Sequence, residues 1–166
     1  MKVALTGIKP SGDVHLGNYL GMIRPALALQ ESYAPFYFIA DYHAITKAVD
    51  PEQLRDWSLE MAATFLAFGL DPQKAVLFRQ SAVPEVCELT WILACQVSAG
   101  QLERGHAVKS ARDGGAEITA GTMFYPLLMA ADILMYNADI VPVGKDQKQH
   151  VEIARDIAIK VNYRYG

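Results

Sequence analysis

The stretch Lys2-Val3-Ala4-Leu5-Thr6-Gly7-Ile8-Lys9-Pro10-Ser11-Gly12-Asp13-Val14-His15-Leu16-Gly17-Asn18 decides the fold. Lys2 to Leu5 reads as a buried strand, Gly7, Pro10 and Gly12 punctuate a loop, and a helix follows from about Gly17 to Ser32. An apolar strand, a tight loop and a helix start are how an open α/β sheet holds a nucleotide, at helix N-termini beyond the carboxyl ends of parallel strands. Near the other end, Gly144-Lys145-Asp146-Gln147-Lys148-Gln149-His150 has the same setting: it follows an apolar run and opens a helix-like one.

The segments between them fit that plan. Pro35-Phe36-Tyr37-Phe38-Ile39-Ala40 is apolar throughout, as strands covered on both faces tend to be, with Asp41-Tyr42-His43 at its carboxyl end. Asp50-Pro51-Glu52 starts a helix well: a cap, a proline suited to the first helical position and an acid at the positive end. That helix stops at Gly69, and Ala75 to Phe78 is a third strand. Pro84 opens a helix to about Ala99; Gly100 to Gly121, with Lys109, Arg112, Gly114 and Gly115, reads as a mobile polar loop. Helix resumes from Pro126 to Tyr136, Asp139 to Val143 is a fourth strand made awkward by Pro142, and a last helix runs from about Asp146 to Val161. Pro25 should kink or split the first helix. The alternation predicts a doubly wound, mostly parallel α/β sheet with helices on both faces, in one domain spanning 1–166.

Composition sets the class. A chain of 166 residues with 52% hydrophobic and 20% charged residues can bury a real core. A net charge of −3 gives no global basic field, so any RNA contact would need a local patch. Cys87 and Cys95 match no zinc or redox spacing and read as buried reduced thiols, which fits a cytoplasmic location. No signal peptide and no membrane-spanning run is legible.

Three segments carry chemistry. In the first loop, Gly12 permits a tight turn, Gly17 permits close approach to the helix end, and His15 and Asn18 offer donors to phosphate or ribose oxygens. The loop is neither a Walker A nor a dinucleotide-binding pattern, and a glycine-rich turn before a helix is also an ordinary connection. In the second, Gly144 would admit a ribose or base, Asp146 stands where a carboxylate meets ribose hydroxyls or simply caps the helix, and Gln147 suits a polar substrate head. In the third, Tyr125, Met129 and Asp132 share one face of an otherwise apolar helix. A carboxylate so placed needs a partner: an aromatic ligand bearing one N–H, or a neighbouring Arg or Lys.

His15-Leu16-Gly17-Asn18 resembles the HIGH-type signature of class I aminoacyl-tRNA synthetases, with Asn in the last place. Together with Gly7-Ile8-Lys9-Pro10-Ser11-Gly12, Asp41-Tyr42-His43-Ala44-Ile45-Thr46, Met129-Ala130-Ala131-Asp132-Ile133-Leu134 and the Gly144–His150 segment, the chain resembles the bacterial tryptophan-specific members along its whole length. The resemblance implies a Rossmann-like, HUP-type catalytic domain with a connecting insertion at about 80–125. It implies ATP contacts from Lys9, Ser11, His15, Gly17, Asn18, Gly144, Asp146 and Gln147. It implies a tryptophan pocket from Leu5, Gly7, His43, Tyr125, Met129, Asp132, Val141, Val143 and Gln147. Asp132 would accept the indole N–H, while Tyr125 and Gln147 would hold the ammonium group. His15 and Asn18 would be catalytic, helped by Lys109 from the polar loop. The reaction implied is tryptophanyl-adenylate formation, with Mg²⁺ carried on ATP and no resident metal, before transfer to tRNA(Trp) in the full-length protein. Relatives of this kind are homodimers.

The sequence departs from that pattern after the fourth strand. The second lysine signature, KMSKS, the fifth strand and the C-terminal helical domain are not in the chain. The expectation is therefore a truncated catalytic portion with impaired activity. The alternative is a synthetase-like module that binds tryptophan or ATP without charging tRNA. Lys9 and Tyr42 also stand where many relatives have Gln.

Overall fold

The computed structural model describes residues 1–166 except 13, 116, 145 and 146, and describes His106 and Ala107 by their backbone alone. The chain divides into two compact units, Met1–Val83 with Ala138–Pro142, and Pro84–Asn137 with Val143–Gly166.

The first unit is built on parallel strands β1 (Val3–Ile8), β2 (Ala34–Ile39) and β3 (Val76–Arg79), in spatial order β1-β2-β3. Val3 pairs with Ala34 and Ile8 with Ile39; Phe36 pairs with Val76 and Ile39 with Arg79. On the free side of β1, Ala4 forms one parallel bridge with Ile140. The sheet order thus reverses at β1, and the loop leaving β1 starts at the switch point where open α/β sheets bind ligands.

The expected fourth strand is reduced to that bridge, and Pro142 explains why. Ile140 N donates to Val3 O at 3.1 Å and Leu5 N to Ile140 O at 2.9 Å. The next rung would need an N–H from residue 142 to Leu5 O, and proline has none. Asp139 strengthens the other end, its Oδ2 accepting from Val3 N at 2.8 Å.

Apolar residues on β1 and β2 make the core with Ile23, Ala26, Leu27, Met61, Phe65 and Leu70. Each fully buried large side chain contributes roughly 1.5–3 kcal/mol relative to exposure. Tyr37 is wholly buried, stacks obliquely on Phe65 at 5.8 Å and donates its phenol to Ala26 O at 2.7 Å. Burial pushes that phenol's pKa up to about 12.

The helix after the first loop is composite: α1 (Leu16–Asn18), a wide π turn (Tyr19–Ile23), α2 (Arg24–Ala28) and a 3₁₀ turn (Leu29–Glu31). Pro25 cannot donate to a carbonyl four residues back, and the wide turn, with Arg24 N–H on Tyr19 O, takes up the misfit. After β2 comes the single turn α3 (Asp41–Ala44), then α4 (Pro51–Ala67). Asp50 caps α4 as expected, accepting from Glu52 N at 3.0 Å and Gln53 N at 3.1 Å.

The second unit is helical: α5 (Glu85–Ala94), α6 (Ala99–Glu103), α7 (His106–Asp113), α8 (Ala120–Met135) and α9 (Lys148–Tyr165). Helix α8 is central, packing against the other four, with Leu127, Ala130 and Ala131 fully buried. From α9, His150, Ala154 and Ile157 face inward at helical spacing. Gln96 ties α9 to the end of α5, donating to Tyr165 Oη at 3.2 Å and accepting from Arg164 at 2.8 Å. Cys87 and Cys95, expected to be buried, are exposed, because α5 turns Val86 and Leu93 inward instead. The expected polar loop over 100–121 instead contains α6 and α7. Leu102 and Val108 are the buried anchors there, too few to give a visible period, and Gly114 and Gly115 end α7. No helix among the described residues is long and apolar enough to cross a membrane.

Candidate active site

In the first unit the loop from β1 is shaped by its glycines. Gly12 has φ +81°, a left-handed conformation that side chains rarely adopt. Ser11 is exposed and Lys9 half-buried beyond the last residue of β1. Partial burial, and then the neighbouring Lys47 charge, lower the Lys9 ammonium's pKa. A phosphate beside it would relieve both effects.

His15 and Asn18 cap α1 reciprocally. Gly17 N donates to His15 Nδ1 at 3.1 Å, and His15 N donates to Asn18 Oδ1 at 3.0 Å. An accepting Nδ1 leaves the neutral ring's proton on Nε2, so His15 is exposed with an N–H donor available to an anion. Gly17 has a local reason to be glycine: a Cβ would lie 2.9 Å from His15 Cε1. The sequence reading gave that space to a ligand; the imidazole occupies it. Gly7 is similar, since a Cβ there would lie 2.4 Å from Phe38 Cζ across the β1–β2 register.

The remaining candidates in this unit differ in access. Leu5 is core, 1% exposed, and its N–H belongs to the bridge with Ile140. Val141 is half-buried beside that bridge. His43 is buried in α3, where Thr46 Oγ1 donates to its carbonyl at 2.8 Å.

In the second unit, Tyr125, Met129 and Asp132 lie on α8 as their spacing predicts. Tyr125 and Met129 are half-buried, while the Asp132 carboxylate is 3% exposed between Ala131 and Ile133. One turn on, burial first, then the Asp132 and Glu85 charges, raise the Tyr136 phenol's pKa. Tyr125 meets His150 edge-on with ring centroids 5.3 Å apart, and His150 Nδ1 lies 2.9 Å from Gln147 Oε1. A carbonyl oxygen only accepts, so Nδ1 carries the proton in this contact. His150 therefore links Tyr125 to Gln147. Its signal in the sequence was the three-residue step from Gln147 at the start of α9.

Gly144 and Val143 are exposed, and Gln147 N donates to Gly144 O at 3.0 Å. Asp146, expected at the adenosine end, lies outside the described residues. Lys109 is exposed on α7 and not on a loop. Among the described residues no three His, Cys, Asp or Glu side chains gather as metal ligands.

Comparison with known proteins decides the family. Residues 2–165 match the family model of class I tRNA synthetases (W and Y). The chain belongs to that family. The tryptophan–tRNA ligase of Fusobacterium nucleatum is 51% identical over all of this chain and 51% of its own length. That of Campylobacter jejuni is 54% identical over 98% of this chain and 51% of its own. The crystal structure of C. jejuni tryptophanyl-tRNA synthetase complexed with ADP and tryptophan superposes with a TM-score of 0.94 at 53% identity, covering 99% of this chain and 51% of that one. This synthetase chain thus spans about half the length of the relatives it matches. The parallel sheet with flanking helices is the Rossmann-like fold of the class, and the resemblance carried by the motifs is borne out.

Proposed function

We propose that the chain is the catalytic portion of a tryptophan–tRNA ligase, which activates tryptophan with ATP and transfers it to tRNA(Trp). The observation that carries this reading is Asp132: a carboxylate 3% exposed on an apolar helix, with Met129 and Tyr125 on the same face. A buried carboxylate placed to accept from a ring N–H favours a ring that bears one over a ring that does not. The tryptophan-specific names of the relatives support the same substrate. A module that binds without activating is the weaker reading.

In the reaction, a tryptophan carboxylate oxygen attacks the α-phosphorus of ATP. The bond from that phosphorus to the bridging oxygen breaks, and pyrophosphate leaves. No protein nucleophile is needed, so rate comes from positioning and electrostatics. His15 donates Nε2–H to phosphate, Asn18 fixes the His15 backbone, Gly17 serves ATP by orienting the His15 ring through its N–H, and Ser11 and Lys9 hold the triphosphate. Lys109 adds charge to the leaving group. Gly144 and Asp146 take the adenosine end and Gln147 also contacts ATP, with Mg²⁺ arriving on ATP as part of the substrate. Leu5, Gly7, His43, Met129, Val141 and Val143 line the amino-acid pocket. Asp132 takes the indole N–H, and Tyr125 and Gln147 hold the ammonium. The stretch at about 80–125 is the connecting insertion and carries a homodimer contact, supported by exposed Trp91 and Ile92 on α5. The protein works in the cytoplasm, where its tRNA is charged.

The test is ATP–pyrophosphate exchange in the protein as its gene encodes it. Exchange should require tryptophan and not respond to tyrosine. Asp132→Ala should raise the KM for tryptophan by roughly 10- to 100-fold, as expected for losing about 1.5–3 kcal/mol of a charged hydrogen bond, with the KM for ATP little changed. Equal loss for both substrates would remove Asp132 from indole recognition.

A further inference from the structure

The β2–β3 ladder ends at the pair Ile39 and Arg79. Two residues on, at Asp41 and Ser81, the backbone of β2 has already turned into α3, yet the register continues through a side chain. Asp41 Oδ1 accepts from Ser81 N at 3.0 Å and from Tyr42 N at 3.1 Å, and Oδ2 accepts from Ser81 Oγ. The carboxylate is 9% exposed and forms no ion pair among the described residues, so these donors compensate its burial.

The helix this clasp anchors is a single turn. α3 has four residues and no side-chain N-cap. Its backbone bonds run from Ala44 N to Ala40 O at 3.1 Å and from Ile45 N to Asp41 O and Lys47 N to Ala44 O at 3.3 Å. A single turn of four residues has little cooperative stability of its own. Its third residue is His43, buried at 5% exposure.

We propose that Asp41 and Ser81 are positioning residues for amino-acid selection: their clasp fixes the turn that sets the His43 side chain. This rests on the reading that His43 lines the tryptophan pocket. Neither residue touches substrate. They act by holding α3 against the segment after β3, so that the imidazole does not sample other positions.

The test compares Ser81→Ala and Ser81→Thr in the protein as its gene encodes it, by ATP–pyrophosphate exchange. Ser81→Ala keeps the amide bond and removes the hydroxyl bond to Oδ2. It should raise the KM for tryptophan about tenfold, the size of one charge-assisted hydrogen bond, and leave the KM for ATP within about twofold. Ser81→Thr, which keeps the hydroxyl, should restore the wild-type KM. A purely structural role would move both constants together, or neither, and either result overturns the proposal. If Ser81→Ala does not fold, Asp41→Asn, of the same shape with only one acceptor oxygen, should show the same split. Wild-type protein without tryptophan-dependent exchange would overturn the functional reading and this proposal with it. An active wild type with an unshifted Ser81→Ala would overturn this proposal alone.

Discussion

At the scale of single residues, two glycines show how a motif can be legible while its cause is not. Gly17 reads as an opening for a ligand, and Gly7 as loop punctuation that the family resemblance places in the amino-acid pocket. In the fold, Gly7 makes room for the Phe38 ring and Gly17 for the His15 imidazole. Neither neighbour can be found by local pattern, since Phe38 meets Gly7 only through the β1–β2 register. Gly7→Ala should therefore destabilise the protein by about 1–3 kcal/mol through overpacking, and Phe38→Leu should recover part of the loss. Thermal unfolding of the single and double variants checks this; additive losses would sever the link. His15 and Asn18 were legible as donors, but their reciprocal cap, which selects the His15 tautomer, required coordinates.

At the scale of elements, apolar runs bounded by Gly and Pro located β1, β2 and β3, and Asp50-Pro51 gave the start of α4, but β1 runs on to Ile8 because Gly7, expected in the loop, pairs with Phe38. Failures came where one residue outweighed a pattern. Asp139 to Val143 is apolar enough for a strand, but Pro142 removes the N–H needed for the rung after the Ala4–Ile140 bridge. Pro142→Val should restore that rung. Hydrogen exchange should then show the residue 142 amide protected, and exchange as fast as an open loop would contradict the account. Helices α6 and α7 were missed because each turns only one large apolar residue inward, Leu102 and Val108. Composition there is polar, and polarity alone does not distinguish a short surface helix from a loop.

At the scale of the molecule, the α/β class and the family were legible because strands and motifs recur in a fixed order along the whole chain. The division into two units was not, since the second combines Pro84–Asn137 with Val143–Gly166 and leaves Ala138–Pro142 beside β1. The proposed functional residues divide the same way. Phosphate candidates Lys9, Ser11, His15 and Asn18 belong to the first unit, and Tyr125, Met129, Asp132 and Gln147 to the second. Trp91 is 68% exposed and Ile92 54% exposed on α5, an apolar pair for which the homodimer proposal gives a use. Trp91→Lys should shift sedimentation of the protein toward monomer without lowering its unfolding temperature, and an unchanged dimer would place the contact elsewhere.

The central claim is that a buried carboxylate on α8 selects the amino acid by its ring N–H. The most direct test compares binding of tryptophan with that of its benzothiophene analogue, in which sulfur replaces the N–H, in wild type and Asp132→Ala. A wild-type preference for tryptophan of roughly tenfold or more, collapsing toward unity in the variant, is the expected result. The same preference in both proteins would contradict it.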